Sequence, residues 1–84
     1  MKGRYKVVAR KNFRSALCNT LQIKNYPASY MEGVEWTLAR DPRAGPKLSS
    51  NVRVIQVIWA PIVVNIYYTI NDAAKTVYLM DVTL

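Results

Sequence analysis

Beyond residue 51 the chain is built from runs of β-branched and aromatic residues, cut by two short gaps. The runs cover residues 52–59, 62–70 and 76–83; the gaps are Ala60-Pro61 and Asn71-Asp72-Ala73-Ala74-Lys75. Runs of that length between turn residues predict a three-stranded antiparallel meander. Alternation puts Val52, Val54, Gln56 and Ile58 on one face of the first run and Arg53, Ile55, Val57 and Trp59 on the other. In the second run Ile62, Val64, Ile66, Tyr68 and Ile70 oppose Val63, Asn65, Tyr67 and Thr69, and the latter set is expected on the exposed side. Both faces are apolar enough that one of them is expected to meet another chain.

Upstream the period changes. Residues 5–9 alternate as a short strand with basic residues around it. Phe13, Ala16, Leu17 and Leu21 then recur at helical spacing and predict a helix over 13–24, with Asn12 as its N-cap. Tyr26-Pro27 breaks the chain, and Pro27 suits the start of a second helix over 28–40, because its missing N–H is not needed there. Met31, Val34 and Leu38 form the apolar face of that helix. Asp41-Pro42-Arg43-Ala44-Gly45-Pro46 stops it, and residues 47–51 form a loop into the meander. The element order is therefore β-α-α-β-β-β. Two antiparallel helices on one face of a curled antiparallel sheet of about four strands bury both apolar surfaces, an α+β fold of two layers. Eighty-four residues hold one such domain, spanning 1–84.

Charge adds a direction to this scaffold. Twelve Lys and Arg oppose five Asp and Glu, for a net charge of +7. Lys2, Arg4, Lys6, Arg10, Lys11, Arg14 and Lys24 all precede Glu32, the first acidic residue. A field of one sign attracts polyanions and speeds their capture. Nucleic acid or an acidic protein satisfies it, and simple solvation is the plain alternative. Arg10, Lys11 and Arg14 are read as a basic helix face for phosphate backbones.

The chain has one cysteine, Cys18, and no histidine. An internal disulfide framework and a Cys-rich metal site are excluded, and the commonest neutral-pH acid–base group is absent. No metal and no cofactor are expected. Residues 52–70 are long enough to raise the membrane question, but Arg53, Gln56, Asn65 and Pro61 interrupt them and strands are favoured over a spanning helix. The N-terminus alternates without a long apolar run, so no signal peptide is expected.

Several segments, taken in this order of elements, resemble the RelE/ParE superfamily of bacterial and archaeal toxins. They are Leu38-Ala39-Arg40-Asp41-Pro42, Gly45 shortly after it, Arg53 in the next strand, Ile66-Tyr67-Tyr68-Thr69-Ile70-Asn71-Asp72 and Val77-Tyr78-Leu79-Met80-Asp81-Val82. The resemblance implies the cytoplasmic toxin component of a toxin–antitoxin system, with a cognate antitoxin as partner. Members similar to RelE cut messenger RNA at the ribosome without a metal. Members similar to ParE poison DNA gyrase, and a third outcome is a member that only binds a partner protein. A homodimer is a further partner state left open by the sequence.

On the ribonuclease alternative the candidate catalytic residues are Arg53, Tyr67 and Lys47. Metal-free RNA cleavage activates the 2′-hydroxyl, stabilises charge on the phosphate and protonates the leaving oxygen. Arg53 stands where ribonuclease members often carry a basic residue and suits a bidentate phosphate clamp. Lys47 lies in a loop where members also carry basic residues, and joins Arg10, Lys11 and Arg14 as a nucleic-acid-binding candidate. Tyr67 suits stacking on a base or proton donation, since an unshifted tyrosine with a pKa of about 10 is an acid rather than a base. Two departures stand out. Val64-Asn65 occupies the place of a Tyr-Arg pair, and the sequence ends at Leu84, before the tail that in those members often carries an Arg and a Tyr or His.

Overall fold

The computed structural model of the chain describes residues 4–24 and 28–84. The predicted break at Tyr26-Pro27, the helix start at Pro27 and the charge of Lys2 lie outside the described residues. The elements are β1 (Lys6–Ala9), α1 (Phe13–Leu21), α2 (Ala28–Arg40), β2 (Arg53–Trp59), β3 (Ile62–Asn71) and β4 (Thr76–Thr83). Their order is the predicted β-α-α-β-β-β, and the three long strands form the predicted meander. Two helices pack on one four-stranded sheet of order β1-β4-β3-β2.

The sheet is mixed, not antiparallel throughout. β1 pairs parallel with β4, Val7 opposite Val77 and Ala9 opposite Leu79, while β2–β3 and β3–β4 are antiparallel. The path of α2 is the reason. Near its start Tyr30 stacks on Trp59 at the far end of β2, with ring centroids 4.7 Å apart. Near its end Ala39 C=O accepts the N–H of Tyr5, 2.9 Å away, just before β1. The chain is thus returned to the end of the sheet where β1 began, and β2 sets off in the same direction as β1. Two hairpins then reverse it twice, which leaves β4 parallel to β1.

The core follows the two periodicities. Phe13 and Leu17 of α1, Met31, Val34 and Leu38 of α2, Val64, Ile66 and Tyr68 of β3, and Val77, Leu79 and Val82 of β4 are buried in one cluster. Fully burying a side chain of this size contributes roughly 1.5–3 kcal/mol relative to leaving it in water. In β4 strict alternation would turn Val82 away from Val77 and Leu79. A bulge between Tyr67 and Tyr68 shifts the register by one, so that all three face the helices. Asn65, Tyr67 and Thr69 lie on the opposite, open face, as their alternation predicts. Among the described residues no helix is long and apolar enough to cross a membrane.

Helix α1 is shorter than predicted, ending at Leu21 rather than near Lys24. Gln22 takes the left-handed conformation, φ 56°, and its N–H bonds to Asn19 C=O while that of Ile23 bonds to Cys18 C=O. This pair of bonds is a Schellman C-cap, built without the usual glycine. Asn12 precedes the helix but makes no side-chain cap bond; the Phe13 N–H goes back to Arg10 C=O instead. A left-handed L-residue costs roughly 1–2 kcal/mol that glycine avoids, against a smaller entropic loss. Gln22→Gly should therefore raise stability by about 0.5–1 kcal/mol, read as a higher urea midpoint with an unchanged m-value.

Candidate functional site

The polar end of the sheet is where β1, β2 and β4 begin and β3 ends. A tight loop closes over it, and its organising contact is at Gly45. Tyr68 is fully buried, yet its hydroxyl must be satisfied, and it accepts the Gly45 N–H at 3.0 Å. Burial pushes the Tyr68 hydroxyl pKa upward, so the phenol stays protonated. The Gly45 carbonyl in turn accepts the Arg53 guanidinium at 2.8 Å. Next to it Pro46 C=O accepts the Val54 N–H at 3.1 Å, and Lys47 forms a single antiparallel bridge to Arg53. One loop thereby fixes the positions of Arg53 and Lys47 against the sheet.

These groups border an open cleft of about 620 Å³ that reaches from the sheet end onto its open face. Arg10, Arg43, Lys47 and Arg53 line it against one carboxylate, Asp72, so four positive charges meet one negative and three are left over. Arg10 lies over the ring of Tyr78, 5.3 Å from its centroid, a cation–π contact that holds the guanidinium at the cleft wall. Ser50, Asn51, Thr69 and Asn71 add neutral polar groups.

Asp72 is already engaged. Its carboxylate accepts the Tyr5 hydroxyl and, at 2.6 Å, the Arg43 guanidinium. The Tyr5 bond, then the Arg43 bond, hold the Asp72 carboxyl below its ordinary range, while the same carboxylate raises the Tyr5 hydroxyl. The three side chains join the start of β1, the loop after α2 and the β3–β4 turn. That turn is shaped by Asn71, whose Oδ1 accepts the Ala74 N–H, and by Lys75 at φ 49°.

The sequence candidates are divided by this geometry. Arg53, Lys47 and Arg10 come together in the cleft. Tyr67 does not line it. It sits farther along the open face, opposite Val54 on β2, with its hydroxyl 3.1 Å from Thr83 Oγ1. Arg53 pairs with Tyr68 instead, and so points to the other face of its strand. Arg10, Lys11 and Arg14 do not form one helix face, because α1 begins only at Phe13; of the three, Arg14 alone is on the helix. Arg43, Asp72 and Tyr78 are site residues that sequence reasoning missed as such. Arg43 was visible only as part of a helix stop, Asp72 as a turn residue and as part of the resembling segment 66–72, and Tyr78 only as part of the resembling segment 77–82. Among the described residues no three His, Cys, Asp or Glu side chains gather to hold a metal. The cleft can bind an anion through forked guanidinium donors, and it offers a hydroxyl-bearing rim.

No protein-family model, curated protein or solved structure matches this chain.

Two predictions test the cleft's construction. A Cβ on Gly45 would press on the Val54 carbonyl, whose carbon is 2.8 Å away, and on the Tyr68 hydroxyl at 2.9 Å. Backbone cannot yield as a flexible side chain does, so Gly45→Ala should cost about 1–3 kcal/mol. It should also shift the Arg53 side-chain resonances by NMR. The second concerns pH. A carboxyl whose folded pKa is lowered contributes stability above its unfolded pKa and loses it as pH falls through the folded value. Asp72→Asn should therefore lower the urea midpoint at neutral pH and converge on wild type in acid. A raised tyrosine works in the opposite sense, so the Tyr5 contribution should disappear only as pH rises beyond about 10.

Proposed function

We propose that this chain is the toxin component of a toxin–antitoxin pair, similar to RelE, that holds messenger RNA in the basic cleft at the ribosome. The observation that carries this reading is the convergence of Arg10, Arg43, Lys47 and Arg53 on one cleft with a single, already neutralised carboxylate. Phosphates on a flexible strand meet such a cleft without base readout, and forked guanidinium groups suit their oxygens. Arg53 and Lys47 would carry the phosphate next to the scissile bond, stabilising charge that builds there during cleavage. The cognate antitoxin would silence the protein by covering the same cleft.

A second reading is favoured by one specific feature. Tyr67, the candidate proton donor, lies outside the cleft that holds Arg53 and Lys47, and Asn65 beside it donates to Thr83 Oγ1 at 3.5 Å. A toxin similar to ParE, acting on DNA gyrase, needs a binding surface but no such donor.

The two are separated by expressing the protein with and without its neighbouring gene product. Translation-dependent mRNA cleavage that is abolished by Lys47→Glu and Arg53→Ala supports the ribonuclease. Growth arrest with intact mRNA and damaged DNA sinks it in favour of gyrase. In vitro, single-strand RNA binding should fall with salt, with a log–log slope of about −3 if all four cations meet phosphates. Replacing Lys47 by Ala should flatten that slope by about 0.7. A slope near zero removes the nucleic-acid reading altogether.

A further inference from the structure

We infer that the free edge of β2 pairs with the same edge of a second copy of this chain, in an antiparallel register centred on Val57. β2 and β1 are the two edges of the sheet. In an antiparallel strand, alternate residues turn both N–H and C=O to the same side. Val54 sends its N–H outward to Pro46 C=O, so Gln56 and Ile58 also turn theirs outward. The loop strand that covers Val54 does not continue past them, and no strand of the described sheet lies beyond. The N–H and C=O of both Gln56 and Ile58 are left as a short template, beside the Val54 C=O, to which Pro46 has no N–H to donate.

Edges of this kind are normally blunted by charge, proline or a bulge. β1 has Lys6 within it and Arg10 just after it. From Val54 to Val64 β2 and its hairpin carry no charge at all, in a chain of net charge +7. The apolar residues here are exposed as well: Ile58 by 71% and Val63, its partner on β3, by 43%. On the helix side a groove of about 460 Å³ runs along the same edge, between α2 and residues 55–59.

A second copy fits these features because the edge is complementary to itself. With Val57 on the two-fold axis, Gln56 lies opposite Ile58 of the second copy and each pair exchanges two backbone hydrogen bonds. The N–H and C=O groups of Gln56 and Ile58 in each copy are then all satisfied. Centring on Gln56 would instead place Ile58 opposite a Val54 whose N–H is already bonded to Pro46. Ile58 of each copy becomes a diagonal neighbour of its twin on the open face. On the helix side Val57 meets Val57, and Trp59 meets Ile55. The neutral seam lets two strongly positive molecules join without placing cations opposite one another. Neither Gln56 nor Ile58 lines the basic cleft, so the contact stands whether or not the cleft binds RNA.

The test begins with the unmodified protein. Sedimentation velocity across a roughly hundred-fold concentration range should show a monomer–dimer equilibrium that shifts toward dimer as salt screens the net charge. Over the same range the Gln56 and Ile58 amides should become protected from hydrogen exchange. Val57→Cys in a Cys18→Ser background should form an inter-chain disulfide under mild oxidation, since directly opposed residues of such a pair have Cα atoms about 4.5 Å apart. Ile55→Cys in the same background should not. Ile58→Lys, at an exposed position, should give a folded monomer. A monomer at every concentration overturns the inference, as does a dimer whose Gln56 and Ile58 amides exchange at free-edge rates. Protection of those amides only by a different protein would assign the edge to a foreign strand and overturn it equally.

Discussion

The hydroxyl of Tyr68 is the point on which the polar end of this molecule depends. A tyrosine with no exposed surface must find a partner for its oxygen inside the protein, and the partner here is the backbone N–H of Gly45. That demand draws the loop after α2 down against β2, so closely that no side chain fits at residue 45. The Gly45 carbonyl then becomes the anchor for Arg53. A core requirement and the anchoring of a surface cation thus share one residue. The buried ring acts together with the backbone bonds from Val52 and Val54 to Pro46, Leu48 and Ser49 in setting where the loop lies, and without the loop Lys47 and Arg53 have no fixed relation to one another.

The charges divide into two kinds. Arg43 and Asp72 form the single ion pair at the cleft, both about half exposed at 50% and 56%. Such a pair contributes little to stability by itself; its value lies in holding three chain segments together through Tyr5. Arg10, Lys47 and Arg53 are different, for no carboxylate is set against them among the residues of the cleft. Their mutual repulsion is tolerated because the groove is open to water, which screens it. Asp72, bridged by Tyr5 and Arg43, is spent on Arg43 and leaves those three cations unopposed in the cleft.

The meander was legible because three long β-branched runs and two turn segments leave little choice of secondary structure, and β4 and α2 fall on the predicted residues. α1 was legible as a helix but not in its extent, because Gln22 adopts a left-handed conformation that no propensity favours. The parallel pairing of β1 was hidden for another reason. Local patterns say where a strand is, whereas direction depends on where α2 delivers the chain, and that is set by Trp59 and Tyr5 contacts distant in sequence. In the site, Arg53, Lys47 and Arg10 were foreseen and do converge, whereas Tyr67 was grouped with them and does not. Strand parity alone separates Tyr67 from Arg53, since Arg53 lies opposite Tyr68; the register needed to see this cannot be read from one strand.

The sequence by itself determined the element order, the two-layer α+β class, the apolar faces of both helices and the excess of positive charge. Each of these depends on spacing or composition, which the chain carries locally. Tertiary structure decided which cations share a cleft, that Arg43, Asp72 and Tyr78 belong to it, and that the uncharged part of β2 after Arg53 is left as an open edge. Those outcomes depend on contacts between residues tens of positions apart, closed by the buried hydroxyl of Tyr68 and by the path of α2 across the sheet.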